Sequence, residues 1–259
     1  MSATKTAYAK ELFEAENKVQ GIRPLTERDP NLTVNDAYDI QLEIAKFKKE
    51  QGKKIIGKKV GLTSKVMQTM LGVNEPDYGH LFDDMNIQNK STVDTTSMIA
   101  PKVEAEIGFI LKEDIIGPNI TFLDVIMATD YVVPTLEIID SRIEDWKIKL
   151  IDTIADNGSS AKFVIGDGKK TLNEVNLRTN GMILKKNKEI VATGAGAAAL
   201  GHPAEAIAWL ANKLSNYDIT LKKGELILPG ALSAALVVNA GETIEADFGD
   251  LGTVEVTFQ

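Results

Sequence analysis

Two apolar stretches of this chain carry carboxylates where carboxylates are costly, and that conflict narrows how the chain can fold. Pro101-Lys-Val-Glu-Ala-Glu-Ile-Gly-Phe-Ile110 has the composition of a strand, with Glu104 and Glu106 at i and i+2. Side chains at that spacing share a face and lie about 6.6 Å apart. The opposite face carries Val103, Ala105 and Ile107. Glu137 interrupts Val132-Val-Pro-Thr-Leu-Glu-Ile-Ile139, whose other side chains are apolar, Pro or Thr. At an effective dielectric of about 20, two carboxylates so spaced repel by roughly 2.5 kcal/mol, and a third makes matters worse. A charge inside an apolar strand needs a partner or a metal. If the two segments meet in one sheet, the three acids form a hard-metal site. The alternative for Glu104 and Glu106 is the solvated face of an antiparallel sheet. The helix-like Thr121-Phe-Leu-Asp-Val-Ile-Met-Ala-Thr129 between them is compatible with a return to the same sheet but does not require it.

Composition decides which ion could sit there. The chain has no cysteine, which excludes disulfides, thiolate metal sites and cysteine nucleophiles. His80 and His202 are the only histidines, too few for the usual zinc sets. Carboxylate oxygen remains, and it selects Mg²⁺ or Mn²⁺. The net charge of −8 and pI near 5.0 argue against nucleic acid or an anionic membrane as partner. No apolar run approaches about 18 residues, and Met1 to Lys10 lacks the apolar core of a signal peptide, so a cytoplasmic protein is expected.

At 259 residues the chain can hold one large domain, or one with a smaller N-terminal unit. Its first part is expected to be helical over Thr4 to Lys18 and over Thr33 to Gln51, where Ala37, Tyr38, Ile40, Ile44 and Phe47 keep a helical period. Thr33 can cap the second helix and Gly52 end it. Ile55 to Leu62 is a strand with lysines. After Pro76 the pattern turns to strands, with helices expected near 121–129, 144–156 and 203–216 and short glycine-separated strands after Glu225. This is an α+β pattern, with a soft boundary dividing residues 1–75 from 76–259.

Other residues admit both chemical and structural readings. Alternation puts Lys59 on a face with Gly57 and Gly61, where it could act as acid/base or anion anchor; Lys53, Lys54, Lys58 and Lys59 could equally be one solvated charge run. Asp77 sits in a Pro-Asp-Tyr-Gly turn. His80 and His202 suit packing or capping, and Pro203 can open a helix. Asp152 and Asp156 share a helical face and repel unless Arg142 or Lys149 is near. Asn157-Gly158 can end that helix and present Ser159 and Ser160 on a turn. Gly194-Ala-Gly-Ala-Ala-Ala199 nearly matches a dinucleotide fingerprint, but the β-rich remainder is too short for a doubly wound fold, and a small-residue loop beside a ligand or subunit contact fits better. The absence of a Gly-x-Ser-x-Gly elbow weakens a serine hydrolase reading.

Taken in order, Lys59-Val-Gly-Leu-Thr-Ser64, Pro76-Asp-Tyr-Gly-His-Leu81, Pro101-Lys-Val-Glu-Ala-Glu106, Pro134-Thr-Leu-Glu137, Asp140-Ser-Arg142, Asp145-Trp146, Ala155-Asp-Asn157 and Leu200-Gly-His-Pro203 resemble one family. It is the 2-oxopent-4-enoate hydratase and 4-oxalocrotonate decarboxylase family of the fumarylacetoacetate hydrolase superfamily. The resemblance runs from about residue 35 to the C-terminus. It implies a small α-rich N-terminal part followed by a mixed β-roll enclosing Mg²⁺ or Mn²⁺ held by Glu104, Glu106 and Glu137. It further implies Lys59 and Asp77 as acid/base residues and Ser159 as a substrate contact.

The implied substrate is a small 2-oxo or 2-hydroxydienoic acid from aromatic meta-cleavage catabolism, chelated through its C1 carboxylate and C2 oxygen. Water would add at C4 of the ketonised form. The same electron sink serves decarboxylation of 4-oxalocrotonate (2-oxohex-3-enedioate), the alternative activity. In the family, Asp77 marks hydratases, whereas Ser159-Ser160 and the Gly194 to His202 segment resemble decarboxylases. The balance favours hydration of 2-hydroxypenta-2,4-dienoate to 4-hydroxy-2-oxopentanoate. A third reading is a non-catalytic partner subunit. The resemblance also implies a homo-oligomer or a mixed hydratase–decarboxylase complex.

Overall fold

A computed structural model describes residues 2–70 and 72–259. Helices α1 (Ala3–Lys18), α2 (Leu25–Arg28) and α3 (Val34–Glu50) come first, and β1 (Ile55–Gly61), α4 (Lys65–Met70), β2 (Asp77–Phe82), β3 (Asn86–Ile87), β4 (Thr92–Val93) and β5 (Lys102–Leu111) follow. The middle of the chain holds α5 (Phe122–Ala128), β6 (Thr129–Ile139), α6 (Leu150–Ala155), β7 (Ser160–Ile165), β8 (Gly181–Lys186) and β9 (Glu189–Ala195). After α7 (Pro203–Leu214) come β10 (Leu226–Leu228), β11 (Leu236–Val237), β12 (Thr243–Asp247) and β13 (Thr253–Phe258). N-terminal helices followed by a curled mixed sheet match the α+β expectation.

The helix termini follow from local chemistry. Thr33 forms a capping box with Asp36 at the start of α3, and Thr121 does the same with Asp124 for α5, each satisfying N–H groups that a helix start leaves open. Pro203 opens α7, and His202 Nδ1 accepts from the Ala204 N–H at 3.1 Å. The periodic residues Ala37, Tyr38, Ile40 and Ile44 of α3 are buried. The continuous helix expected over 144–156 is absent: a 3₁₀ turn covers Glu144–Trp146 and α6 starts only at Leu150. Asp145 and Trp146 adopt left-handed backbone, at φ 56° and 54°, which no α-helix tolerates.

The larger sheet runs β2-β1-β10-β5-β6-β7-β3, with β11 also on β5; the smaller runs β4-β13-β12-β8-β9. β1 lies before residue 75 and β2 after it, and the two pair antiparallel from Ile55 opposite Phe82 to Gly61 opposite Asp77. β5 and β6 are central in the larger sheet, and their inward Val103, Ala105, Ile107, Leu136 and Ile138 are completely buried. A buried amide ties the helices to this sheet: Gln41 Nε2 of α3 donates to the carbonyls of Tyr78 in β2 and Ile154 in α6, both at 2.8 Å. It thereby holds the strand that begins with Asp77 against the helix that carries Thr153. Among the described residues no helix is long and apolar enough to cross a membrane.

Candidate metal and substrate site

The antiparallel register of β5 and β6 places Glu104 directly opposite Glu137 and Glu106 opposite Thr135. Alternation puts Glu104 and Glu106 on one face, so the three carboxyl groups converge. One oxygen from each lies within 4.8 Å of the others. Glu106 and Glu137 are fully buried. Glu106 Oε2 accepts from the Gly230 N–H at 2.6 Å, but Glu106 Oε1 and both oxygens of Glu137 accept no hydrogen bond. Burial pushes Glu104 up to about 7 against the pull of Lys59. Burial and the two neighbouring carboxylates hold Glu106 well above the usual carboxylate range. Orphaned, converging, oxygen-only donors are what Mg²⁺ and similar hard cations take, so the residues present fit such an ion.

Lys59 approaches from β1, with Nζ 3.6 Å from Glu137 Oε2. Burial alone would depress its ammonium, but Glu137, Asp77, Glu104 and Glu106 outweigh it and raise the group. The neighbouring Lys58 points to the other face and pairs with Glu225, so the two lysines are buried on opposite sides of the strand rather than forming one solvated run. Asp77 Oδ2 accepts from Thr153 Oγ1 at 3.1 Å; its Oδ1 is buried without a partner. The glycines here are demanded by contact. A Cβ on Gly61 would lie 2.2 Å from Asp77 Oδ1 and 3.0 Å from Lys59 Nζ. Gly158, at φ +60°, covers the Lys59 stem, where a Cβ would meet Cε and Nζ at 3.2 Å.

Ser159 follows on the same turn, which Arg142 staples from beneath. The buried guanidinium donates from Nε to Asp156 Oδ1 and from Nη1 to the carbonyls of Asp140, at 2.8 Å, and Ser160, at 3.0 Å. It answers the Asp156 charge. Asp152, the other acid of that pair, instead accepts from Thr26 and the Lys149 N–H. Ser159 Oγ donates to Asp156 Oδ2 at 3.1 Å, and burial pushes Asp156 up to about 6 despite Arg142. Asn157 Oδ1 accepts from the His80 N–H at 2.7 Å and Nδ2 donates to the His80 carbonyl at 3.0 Å, locking turn to strand. The His80 ring lies on the strand face opposite Asp77; burial, with Lys58 and Lys49, lowers it to about 3, and it stays neutral.

These groups open on one cleft of about 220 Å³, lined by Lys59, Asp77, Glu104 and Ser159 and also by Lys102, Trp146, Ile139, Ile148 and Thr153. Lys59, Asp77, Glu104 and Ser159 therefore line this cleft, with Glu106 and Glu137 converging on Glu104, while His80, His202 and the Gly194 to Ala199 segment do not line it. Thr153 and Gln41 carried no sequence signal as site residues, and Lys102 and Trp146 stood out only as members of motifs in the resemblance. Their part in the site depends on contacts across the fold.

The curled sheet thus carries three converging strand-borne carboxylates beside a buried lysine, on a fold of the fumarylacetoacetate hydrolase type. Residues 63–259 match the fumarylacetoacetate (FAA) hydrolase C-terminal family, and the chain belongs to that family. Within it, the chain is 42% identical over 249 residues to 2-hydroxyhexa-2,4-dienoate hydratase of Comamonas testosteroni, covering 95% of this chain and 94% of the other. It is also 42% identical over 252 residues to 4-oxalocrotonate decarboxylase of Pseudomonas putida, covering 97% and 96%. The solved structure of 4-oxalocrotonate decarboxylase from Pseudomonas putida G7, complexed with magnesium and adipate, superposes with a TM-score of 0.98 at 41% identity, covering 100% of this chain and 98% of that one.

Proposed function

We propose that this chain is a metal-dependent hydratase that adds water to 2-hydroxypenta-2,4-dienoate, giving 4-hydroxy-2-oxopentanoate in aromatic meta-cleavage catabolism. Glu104, Glu106 and Glu137 hold Mg²⁺ or Mn²⁺, which when bound supplies Lewis acidity toward the carboxylate and 2-oxygen of an oxo acid. Ketonisation moves the 2-hydroxyl proton to C5. Water oxygen then bonds to C4, and one water proton ends on C3. Asp77 accepts the proton that water gives up, and Lys59 delivers protons to carbon. Ser159, on its stapled turn, orients the substrate. The observation that carries this reading is Asp77 Oδ1, a buried carboxylate oxygen with no partner, on a residue that lines the cleft together with Lys59. A base for water needs such a lone pair free.

Decarboxylation of 2-oxohex-3-enedioate is the second reading, favoured by the near-superposition on a 4-oxalocrotonate decarboxylase. It uses the same chelating end of the site and does not need Asp77. Loss of dienoate absorbance with Mg²⁺, with the product identified by NMR, separates the two. The expected product is 4-hydroxy-2-oxopentanoate; CO₂ release from 2-oxohex-3-enedioate without any hydration would replace the first reading by the second.

A further inference from the structure

One cation in the cleft has no part in the proton transfers above. Lys102 lies on the Glu104 and Glu106 face of β5, two residues before Glu104 and so roughly 6.6 Å along the strand, and it lines the cleft. Its Nζ sits 3.8 Å from the centroid of the Trp146 ring, within reach of the ring's negative face. Glu104 attracts it along the strand, but among the described residues no carboxylate reaches salt-bridge distance of its Nζ. Trp146 is itself held in an unfavourable conformation, at φ 54°, strained for a bulky side chain. Its indole Nε1 donates to the Ala100 carbonyl at 2.9 Å, which fixes the ring beneath the ammonium. A lysine serving only solvation needs neither a strained aromatic platform nor a place inside the cleft.

We propose that Lys102, steadied on Trp146, binds a second carboxylate at the far end of the substrate, so that the site favours 2-oxo dicarboxylic acids over monocarboxylic acids of equal length. The inference rests on the reading that the three glutamates and their metal hold the 2-oxo acid end. From C2 to C6 of an extended six-carbon acid, four bonds of about 1.5 Å span roughly 5 Å, commensurate with the offset from Glu104 to Lys102. Ile139 and Ile148 supply apolar wall in the same cleft, suited to the methylene or alkene middle of such an acid. The ammonium then makes a charge-assisted hydrogen bond to the remote carboxylate. Addition at C4 does not require that contact, so it acts on binding, and a five-carbon monoacid is still turned over. Trp146 is a positioning residue.

The test is calorimetric titration of the Mg²⁺-loaded protein with two unreactive analogues, 2-oxoadipate and 2-oxohexanoate. The wild type should hold 2-oxoadipate tighter by about tenfold or more, the worth of one charge-assisted bond. Lys102→Met should bring that ratio near unity, and Lys102→Arg should retain most of it. Trp146→Leu should lower the ratio, whereas general damage to the fold would weaken both acids alike. If both analogues bind the wild type and Lys102→Met leaves the ratio unchanged, the role of Lys102 is overturned while chelation stands. If neither analogue binds the wild type, chelation fails and this inference falls with it.

Discussion

Replacing Glu106 by Gln should make the metal-free protein more stable while removing its response to divalent cations. One oxygen from each of Glu104, Glu106 and Glu137 lies within 4.8 Å of the others. At an effective dielectric of about 20, each ionised pair at that distance costs roughly 332/(20 × 4.8) ≈ 3.5 kcal/mol, and Glu106 takes part in two of the three pairs. Burial and the neighbouring charges already push Glu106 up, so protonation relieves part of this repulsion at neutral pH, and the gain left to the variant is about 1–3 kcal/mol. The amide oxygen can still accept from the Gly230 N–H, and its NH₂ can donate to Glu137, whose oxygens accept no hydrogen bond. For a chain of this size the gain corresponds to a rise of roughly 2–10 °C in Tm. Scanning calorimetry in chelating buffer and in saturating Mg²⁺ measures both effects. At about a hundred times Kd the wild type should gain about 2.7 kcal/mol from the ion, and the variant little. A variant less stable than wild type in chelator, or one stabilised by Mg²⁺ as strongly as wild type, would refute the electrostatic reasoning.

Three further outcomes follow from the same geometry. Asp77→Asn should lower kcat for hydration by about 10²–10⁴-fold with Mg²⁺ affinity largely kept; steady-state kinetics beside metal titration checks this, and a parallel loss of metal binding would show that Asp77 acts on the glutamates instead. Gly61→Ala drives a methyl into Asp77 Oδ1 and Lys59 Nζ and should reduce kcat by at least about tenfold at a stability cost of about 1–3 kcal/mol; unchanged turnover would mean those two groups need no fixed separation. In chelator, Glu104 titrates near 7 in the folded protein against 4.5 ordinarily. The folded state then binds more protons, so its stability is greatest below the ordinary value and is lost as pH rises from about 4.5 to about 7. Tm measured across that window should fall more steeply for wild type than for Glu104→Gln, and equal slopes would remove burial of Glu104 as the cause.

What could be foreseen from sequence was whatever depends on near neighbours along the chain. Thr33 with Asp36, and the spacing of Ala37, Tyr38, Ile40 and Ile44, are local, and α3 formed where they place it. Glu104 and Glu106 on one face follow from strand alternation alone. Their meeting with Glu137 depends on the register of β5 with β6, which no local pattern specifies; only the resemblance joined the two segments. The misjudged helix at 144–156 has a similar origin, since left-handed Asp145 and Trp146 are held by contacts distant in sequence, among them the indole bond to Ala100. Gln41 could not be foreseen at all. A polar side chain on the apolar face of an amphipathic helix announces nothing until the carbonyls of Tyr78 and Ile154 are seen to converge on it.

Anomalous diffraction from crystals soaked in Mn²⁺ and 2-oxoadipate tests chelation by the three glutamates, because it locates the ion and the acid together. One strong peak per chain is expected, bracketed by Glu104, Glu106 and Glu137, with the 2-oxo acid end of the ligand against it and Asp77 and Lys59 beside the carbon chain. A peak elsewhere, or a ligand bound with those three carboxylates unengaged, would contradict that chelation.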